Sequence, residues 1–313
     1  MSTANHYGKA GWIAAIIVSV VVTFVGTLLF AQSVWSHNQG PTAGAKPTTN
    51  PATQPATQPG AGSAEATAMM GGPNDTLVST AAGKIAGVGS FDGTMDVDHS
   101  AFHDLLQAHV DNERVDYAAL NGGAERQKFD AYLDMMSKVD IDALSEAERL
   151  AYWINLYNAS MIEAVLLEYP VDHVENDLGF GVFKKQFIET TKGTMSLDDI
   201  EHATIREQWD EPRIHAALVC GAISCPPLAD TAFTAENVDA LLEKNFTQWI
   251  NGARNEFDHA GKRAKLSSIF SWYGVDFGDS NADTLAYINK YLDQDITGYS
   301  VEFLDYDWSL NTQ

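Results

Sequence analysis

The chain's only cysteines, Cys220 and Cys225, stand in the stretch RIHAALVCGAISCPPLAD at 213–230, with His215 just upstream. Gly221 allows a sharp turn between the sulfurs, and Pro226 biases Cys225 toward an extended backbone. Three states are open. The loop can reach the Cα separation of about 4.4–6.8 Å that a disulfide needs. The thiols can instead be free with a chemical role, or buried and inert. A metal clip is not expected, because Cys-x4-Cys lacks a second ligand pair. Were Cys220 a nucleophile, it would need a base within hydrogen-bond reach. On a regular strand His215 would lie about 16 Å away on the opposite face. That pairing therefore needs a bend, or a loop that brings His215 to Cys225. His202 and His173 are the other candidate bases.

SLDDIEHATI at 196–205 places Leu197, Ile200, Glu201, Thr204 and Ile205 on one helix face. Glu201 then sits among apolar residues and needs a partner. Arg206 and Arg213 are the candidates for a structural pair, while the chemical alternative is orientation of a histidine or acid/base work. His202 lies beside this face. Asn155 and Asn158 are three apart on a helix that reads as buried. Their amides can stabilise an oxyanion or brace a neighbouring loop, with the cysteine loop as the candidate. Trp153 and Tyr157 read as core. His99 and His103 have i, i+4 spacing and His109 follows, but no third ligand is recognisable, so no metal centre is expected. There is no Gly-x-Ser-x-Gly elbow, phosphate loop or dinucleotide fingerprint, and no cofactor is expected.

The elements that must position these groups follow from periodicity. Helices are expected over 98–110, over AERQKFDAYLDMMSKV, over a buried segment from the Ser145 cap to the Pro170 stop, and over TAENVDALLEKNFTQWINGA and DTLAYINKYL. ERVDYAAL reads as a short extended or turn piece. Two short strands flank Lys192-Gly193, and a helix follows with Ser196 and Asp199 at capping-box spacing. RIHAALVC reads as a strand broken at Gly221, and KRAKLSSIFSWYGVDF as a strand and an aromatic turn. The fold class is α+β: one helix-rich domain with a small sheet.

Residues 12–31, WIAAIIVSVVVTFVGTLLFA, carry no charge and have the length of a membrane-spanning helix. Lys9 precedes them, and no Lys or Arg follows until Lys46. The expected topology is a cytoplasmic N-terminus at 1–11, a signal-anchor at 12–31, and everything beyond on the periplasmic or extracellular side. Cleavage at Ala31-Gln32-Ser33 is the rival reading. Residues 32–91, rich in Pro, Thr, Ala and Gln with the repeat PATQPATQP, are expected to form a disordered linker. Its central 36 residues would reach about 110 Å if extended. The globular domain is expected at 92–313. A net charge of −23 excludes nucleic acid as a partner and argues for a solvated surface.

The stretches DHSAFHDLLQAHVDNERVDYAAL, AYWINLYNA, SLDDIEHATIR, RIHAALVCGAISCPPL and LSSIFSWYGVDF, in this order over roughly residues 95 to 280, resemble the domain of unknown function 547 family. The resemblance implies an α+β domain of bacterial exported and plant proteins, with no settled activity. It implies that Cys220-Gly221 matches a pair found throughout the family. The second cysteine often resembles a serine in plant members. That makes Cys225 the lesser candidate nucleophile and weighs against a family-wide disulfide.

Two functional readings follow for this membrane-anchored domain. In one it is a thiol-dependent hydrolase or acyltransferase. Cys220 is the nucleophile, His202 or His215 the base, Glu201 the orienting carboxylate, and Asn155 and Asn158 the oxyanion support, with Arg213 and Cys225 in the binding set. In the other it is a non-catalytic binding or scaffold module of the cell envelope, and the same residues form a buried polar brace. The expected partners are the cytoplasmic membrane, through 12–31, and a cell-envelope peptide or protein. An imidazole on Cys220 in a cleft would mark the first reading. A buried sulfur without one would mark the second.

Overall fold

The computed structural model describes residues 83–90, 92–93 and 97–313. The expected membrane helix at 12–31 and most of the 32–91 linker lie outside the described residues. Among the described residues, no helix is long and apolar enough to cross a membrane. The described part of the 32–91 stretch is docked on the domain. Strand β1 (Ile85–Ala86) pairs with Trp209–Asp210, and the backbone and hydroxyl of Ser90 both donate to Glu146 Oε2.

The architecture is α+β, helix-rich with small sheets. Among the described residues, five α-helices have eight residues or more: α1 (Ser100–His109), α2 (Gly123–Met136), α3 (Glu146–Glu168), α4 (Val238–Asn251) and α5 (Asn281–Ile288). Helix α3 is the hub. Ser145 accepts the Glu148 N–H at 3.3 Å and caps it, a contact worth about 1 kcal/mol. Its flanks bury Leu150, Tyr152, Ile154, Leu156, Tyr157 and Val165, so apolar residues nearly all round the helix face protein. Helices α1, α2 and α4 each lay one apolar stripe against this core: Phe102, Leu105 and Leu106 from α1, Phe129 and Tyr132 from α2, and Leu242, Phe246 and Trp249 from α4.

The strands are short. β2 (Val110–Asp111) and β3 (Arg114–Val115) form a hairpin, as do β4 (Ile188–Thr190) and β5 (Gly193–Met195) around Lys192. β6 (Trp209–Asp210) is the partner of β1. β7 (Glu256–Asp258), β8 (Arg263–Leu266) and β9 (Ser300–Phe303) make a three-stranded sheet with β8–β9 parallel. The capping box holds: Asp199 Oδ2 accepts the Ser196 N–H, and Ser196 Oγ accepts the Asp199 N–H. The helix behind it opens with a wide π turn, Asp199–Ile205, and continues as Arg206–Gln208.

The expected strand RIHAALVC is absent. Pro212–Ala216 forms a 3-10 turn. Proline pre-sets φ for a first helical position, and the Glu211 carboxylate accepts the Arg213 N–H at 3.1 Å. Among the described residues no strand pairs with this segment; Ile214 O takes the Ala217 and Leu218 N–H groups, and side chains bond Ala217 O, Val219 N and Cys220 N.

Candidate functional site

The cysteine loop lies on one flank of α3. Asn158 clamps its start. Nδ2 donates to Ala217 O at 2.8 Å and Oδ1 accepts from Val219 N at 3.0 Å. One turn earlier, Asn155 makes the same two-sided bond to Phe233, at 2.7 and 3.0 Å. Both amides are buried and bonded to backbone on both sides, the arrangement expected of a loop brace. Past the clamp, Gly221 adopts φ +80°, and a turn bonds Cys225 N to Ala222 O. The chain doubles back, so the Cys220 N–H donates to Cys225 Sγ at 2.9 Å.

The C-terminal segment covers this loop. Asn311 N donates to Gly221 O, Ile223 N to Ser309 O, and Ser224 N to Asp307 O. Tyr117 Oη donates to Asn311 Oδ1 at 2.8 Å, tying the segment to the turn after β3. Tyr306 Oη lies 3.3 Å from Cys220 Sγ. Each cysteine is only 2% exposed, and both are free thiols. Burial pushes the Cys220 thiol up, but hydrogen bonds from Cys225, Tyr306 and the Ala222 backbone outweigh it and hold the thiol below its usual range. Burial and the bond to Cys220 push Cys225 well above its usual range.

A second polar group lies nearby. His215 Nε2 bonds Asp276 Oδ2 at 2.7 Å, and Arg206 grips the same carboxylate through Nε at 2.7 Å and Nη2 at 3.0 Å. Burial raises Asp276, but these two partners prevail and hold it well below the usual carboxylate range. Arg206 Nη1 also reaches His202 Nδ1 at 2.7 Å. A guanidinium only donates, so this nitrogen accepts and the His202 proton sits on Nε2, which faces Asp198 Oδ1 at 3.6 Å. Tyr273 packs against both imidazoles, at centroid distances of 5.9 and 4.2 Å, with the Arg206 guanidinium over its ring.

Glu201 is buried on the expected face, together with Leu197, Ile200, Thr204 and Ile205. Neither candidate arginine binds it. Arg206 is committed to Asp276, and Arg213 to Glu211, Asp239 and Glu243. Its carboxylate instead lies by Tyr273, where burial and that charge push the phenol well above its usual range. The structure thus gathers Cys220, Cys225, Asn155, Asn158 and Glu201 around one buried region. It commits His202 and His215 to the Arg206–Asp276 network, and neither imidazole hydrogen-bonds to a sulfur. Arg213 serves a surface-facing ion cluster. His173 accepts from Asn176 N and pairs its backbone with Ser309. His99 precedes α1 and bonds Tyr132, and no group of three His, Cys, Asp or Glu among the described residues is arranged to hold a metal.

Sequence spacing missed Tyr306, Tyr117, Asn311 and Asp276. Only Asp276 left a signal, an acid inside the aromatic run SWYGVDF. Tyr306 also lines a cavity of about 530 Å3 with Ser224, Arg254 and Ser268.

Residues 141–250 match the family model described as "Protein of unknown function, DUF547". The match is narrower than the resemblance over roughly 95 to 280. It contains α3, the cysteine loop and α4 as far as Ile250, and leaves Asp276 and Tyr306 outside. No curated protein and no solved structure matches the chain.

Proposed function

From the premise that residues 141–250 form a domain of the DUF547 family, a family whose description assigns no activity, we propose that the chain is a membrane-tethered, non-catalytic binding module of the cell envelope. Residues 12–31 are the anchor, the linker is a spacer, and the domain stands on the periplasmic or extracellular face. The cysteine loop is a structural brace. One observation carries this reading: the Cys220 sulfur is buried, with Tyr306 and Cys225 as its side-chain partners and no imidazole on it. A thiol nucleophile needs a base and an open path to its substrate.

A second reading, thiol-dependent hydrolysis or acyl transfer at Cys220, has one observation in its favour. Cys220 is the acidified thiol of the pair. That reading needs Tyr306, which lines the 530 Å3 cavity, to leave the sulfur. Alkylation of the native full chain without reductant, read by intact mass, separates the two. The brace predicts no modification until the chain is unfolded, and then two additions. Rapid single modification of Cys220 near neutral pH would overturn the brace and install the second reading.

A further inference from the structure

The chain approaches the domain through a docked strap, residues 84–90. Strand β1 runs parallel to β6, with Ile85 opposite Trp209 and Ala86 opposite Asp210, and Gly87 N donates to Asp210 O at 3.3 Å. The strap then crosses to the first turn of α3. Ser90 N and Oγ both donate to Glu146 Oε2, at 2.9 and 3.0 Å, and Ser90 O accepts from Ala147 N at 3.0 Å. Among the described residues β6 has no other strand partner.

This seat is selective. Gly89 adopts φ +82°, and a Cβ there would lie 2.5 Å from Glu146 Cβ. A side chain at this position would collide with the helix, so the seat takes glycine. The next position brings a hydroxyl to Glu146. Ile85 and Val88 pack half-buried against the core. A free strand edge that bonds backbone, with side chains read at set offsets, is how extended peptides are captured.

The hold is slight. None of residues 84–90 is buried. A two-residue ladder, the bonds at Gly87 and Ser90 and two half-buried side chains stand against the entropy of ordering the segment. Segments with so little apolar burial open locally, well before the domain unfolds. Opening uncovers more than an edge. Lys84 walls a cavity of about 80 Å3 with Arg206, Trp209, Glu211, Ile214 and Asp276, so the strap is also part of the cover over the Arg206–Asp276 network.

We infer that residues 84–90 are an autoinhibitory latch: they fill in cis a seat, made by β6 and the first turn of α3, that takes an extended peptide of a partner protein when the latch opens. The ligand class is an extended segment with a glycine against Glu146 and a hydroxyl residue after it. A second copy of this chain brings its own filled seat, so exchanging straps gains no bonds, whereas a partner peptide without a seat gains them all. The inference rests on the binding-module reading and gives that module a site, a ligand class and a control.

Amide hydrogen exchange on the full chain in detergent tests the latch. The Gly87 and Ser90 amides should be protected about tenfold to thousandfold, far less than the centre of α3. Protection equal to that of α3 would mean that the strap does not open, and none would mean that it is not docked; either overturns the inference. The seat is tested with a peptide of residues 84–90 carrying an N-terminal trifluoroacetyl group, titrated by fluorine NMR into the wild-type chain, Gly89→Val and the double variant Ile85→Ser/Val88→Ser. Both variants should bind it saturably. The wild type should bind more weakly by the same factor as its Ser90 protection, because only the open fraction is competent. The Gly89→Val peptide should bind the variants about tenfold more weakly or worse. The double variant changes only half-buried side chains, so it carries the test should Gly89→Val disturb α3. No saturable binding by either variant, equal binding by wild type and variants, or indifference to the glycine overturns the inference. A wild-type dimer in sedimentation that Gly89→Val dissolves would make the occupant a second copy's strap and overturn the partner assignment. Alkylation of Cys220 reads the brace alone, so failure of the latch and failure of the brace reading are separable.

Discussion

The N–H of Cys220 donates to the sulfur of Cys225 across 2.9 Å, so the second cysteine closes the turn that holds the first. Cys225→Ala removes that acceptor inside a buried loop and should cost about 1–3 kcal/mol in urea unfolding. Cys225→Ser keeps an acceptor and should cost less. If alanine proves as stable as the wild type, the contact does not hold the turn.

The same loop offers a titration test. Cys225→Ala and Tyr306→Phe each remove a donor to the Cys220 sulfur. Both should move the Cys220 thiol to higher pH, as followed by thiolate ultraviolet absorbance during partial opening in mild denaturant. A thiol unmoved in both variants would contradict the assignment of these donors.

Asn158→Ala strands two buried backbone groups, Ala217 O and Val219 N. A loss of about 2–4 kcal/mol is expected. Asn158→Asp should be intermediate, since it keeps the acceptor for Val219 but not the donor to Ala217. Equal losses in both variants would mean that the Ala217 bond dominates.

Asp276 gives a pH signature. Its folded pKa is depressed, so its contribution is fully present above the unfolded value, near 3.8, and fades as pH falls below that toward the folded value. Asp276→Asn leaves the Arg206 guanidinium partly buried without its carboxylate and should cost about 3–5 kcal/mol at neutral pH. In urea melts the gap between variant and wild type should be constant from pH 7 to about 5 and narrow below about 4. A gap that widens on acidification would reverse the sign argued here.

The proposed anchor is tested by fractionation. The full chain should remain in membranes after alkaline carbonate, and removal of residues 1–31 should release it. Protease added to cells with the outer barrier opened should digest the C-terminal domain. A soluble full chain would remove the membrane part of the proposal.

The long helices were legible because burial imposes a 3.6-residue period and their ends carry local caps, as at Ser145 and at Ser196 with Asp199. The buried position of Glu201 was legible for the same reason. RIHAALVC was misleading. Its alternating apolar residues suit a strand, but a strand needs a partner backbone, and here the amide of Asn158 and the segment after Tyr306 satisfy the chain instead. Partners at long separation were invisible to spacing: Arg206 with Asp276, and Cys220 with Tyr306. Short-range rules describe what a residue can do within a turn or two, and these contacts exist only after tertiary packing.

The C-terminal cover on the thiols also sets a schedule. Cys220 is made 86 residues before Tyr306. At about 5–20 residues per second, the cysteines exist for roughly 4–17 s before the residue that caps them has been added. Throughout that interval the loop has no Tyr306, and none of the backbone bonds from residues 307–311 has formed. The sulfurs then meet their surroundings as an unprotected pair. Whichever thiol or oxidant the nascent chain encounters has its best access to them during synthesis, and that access closes when the final stretch of chain docks.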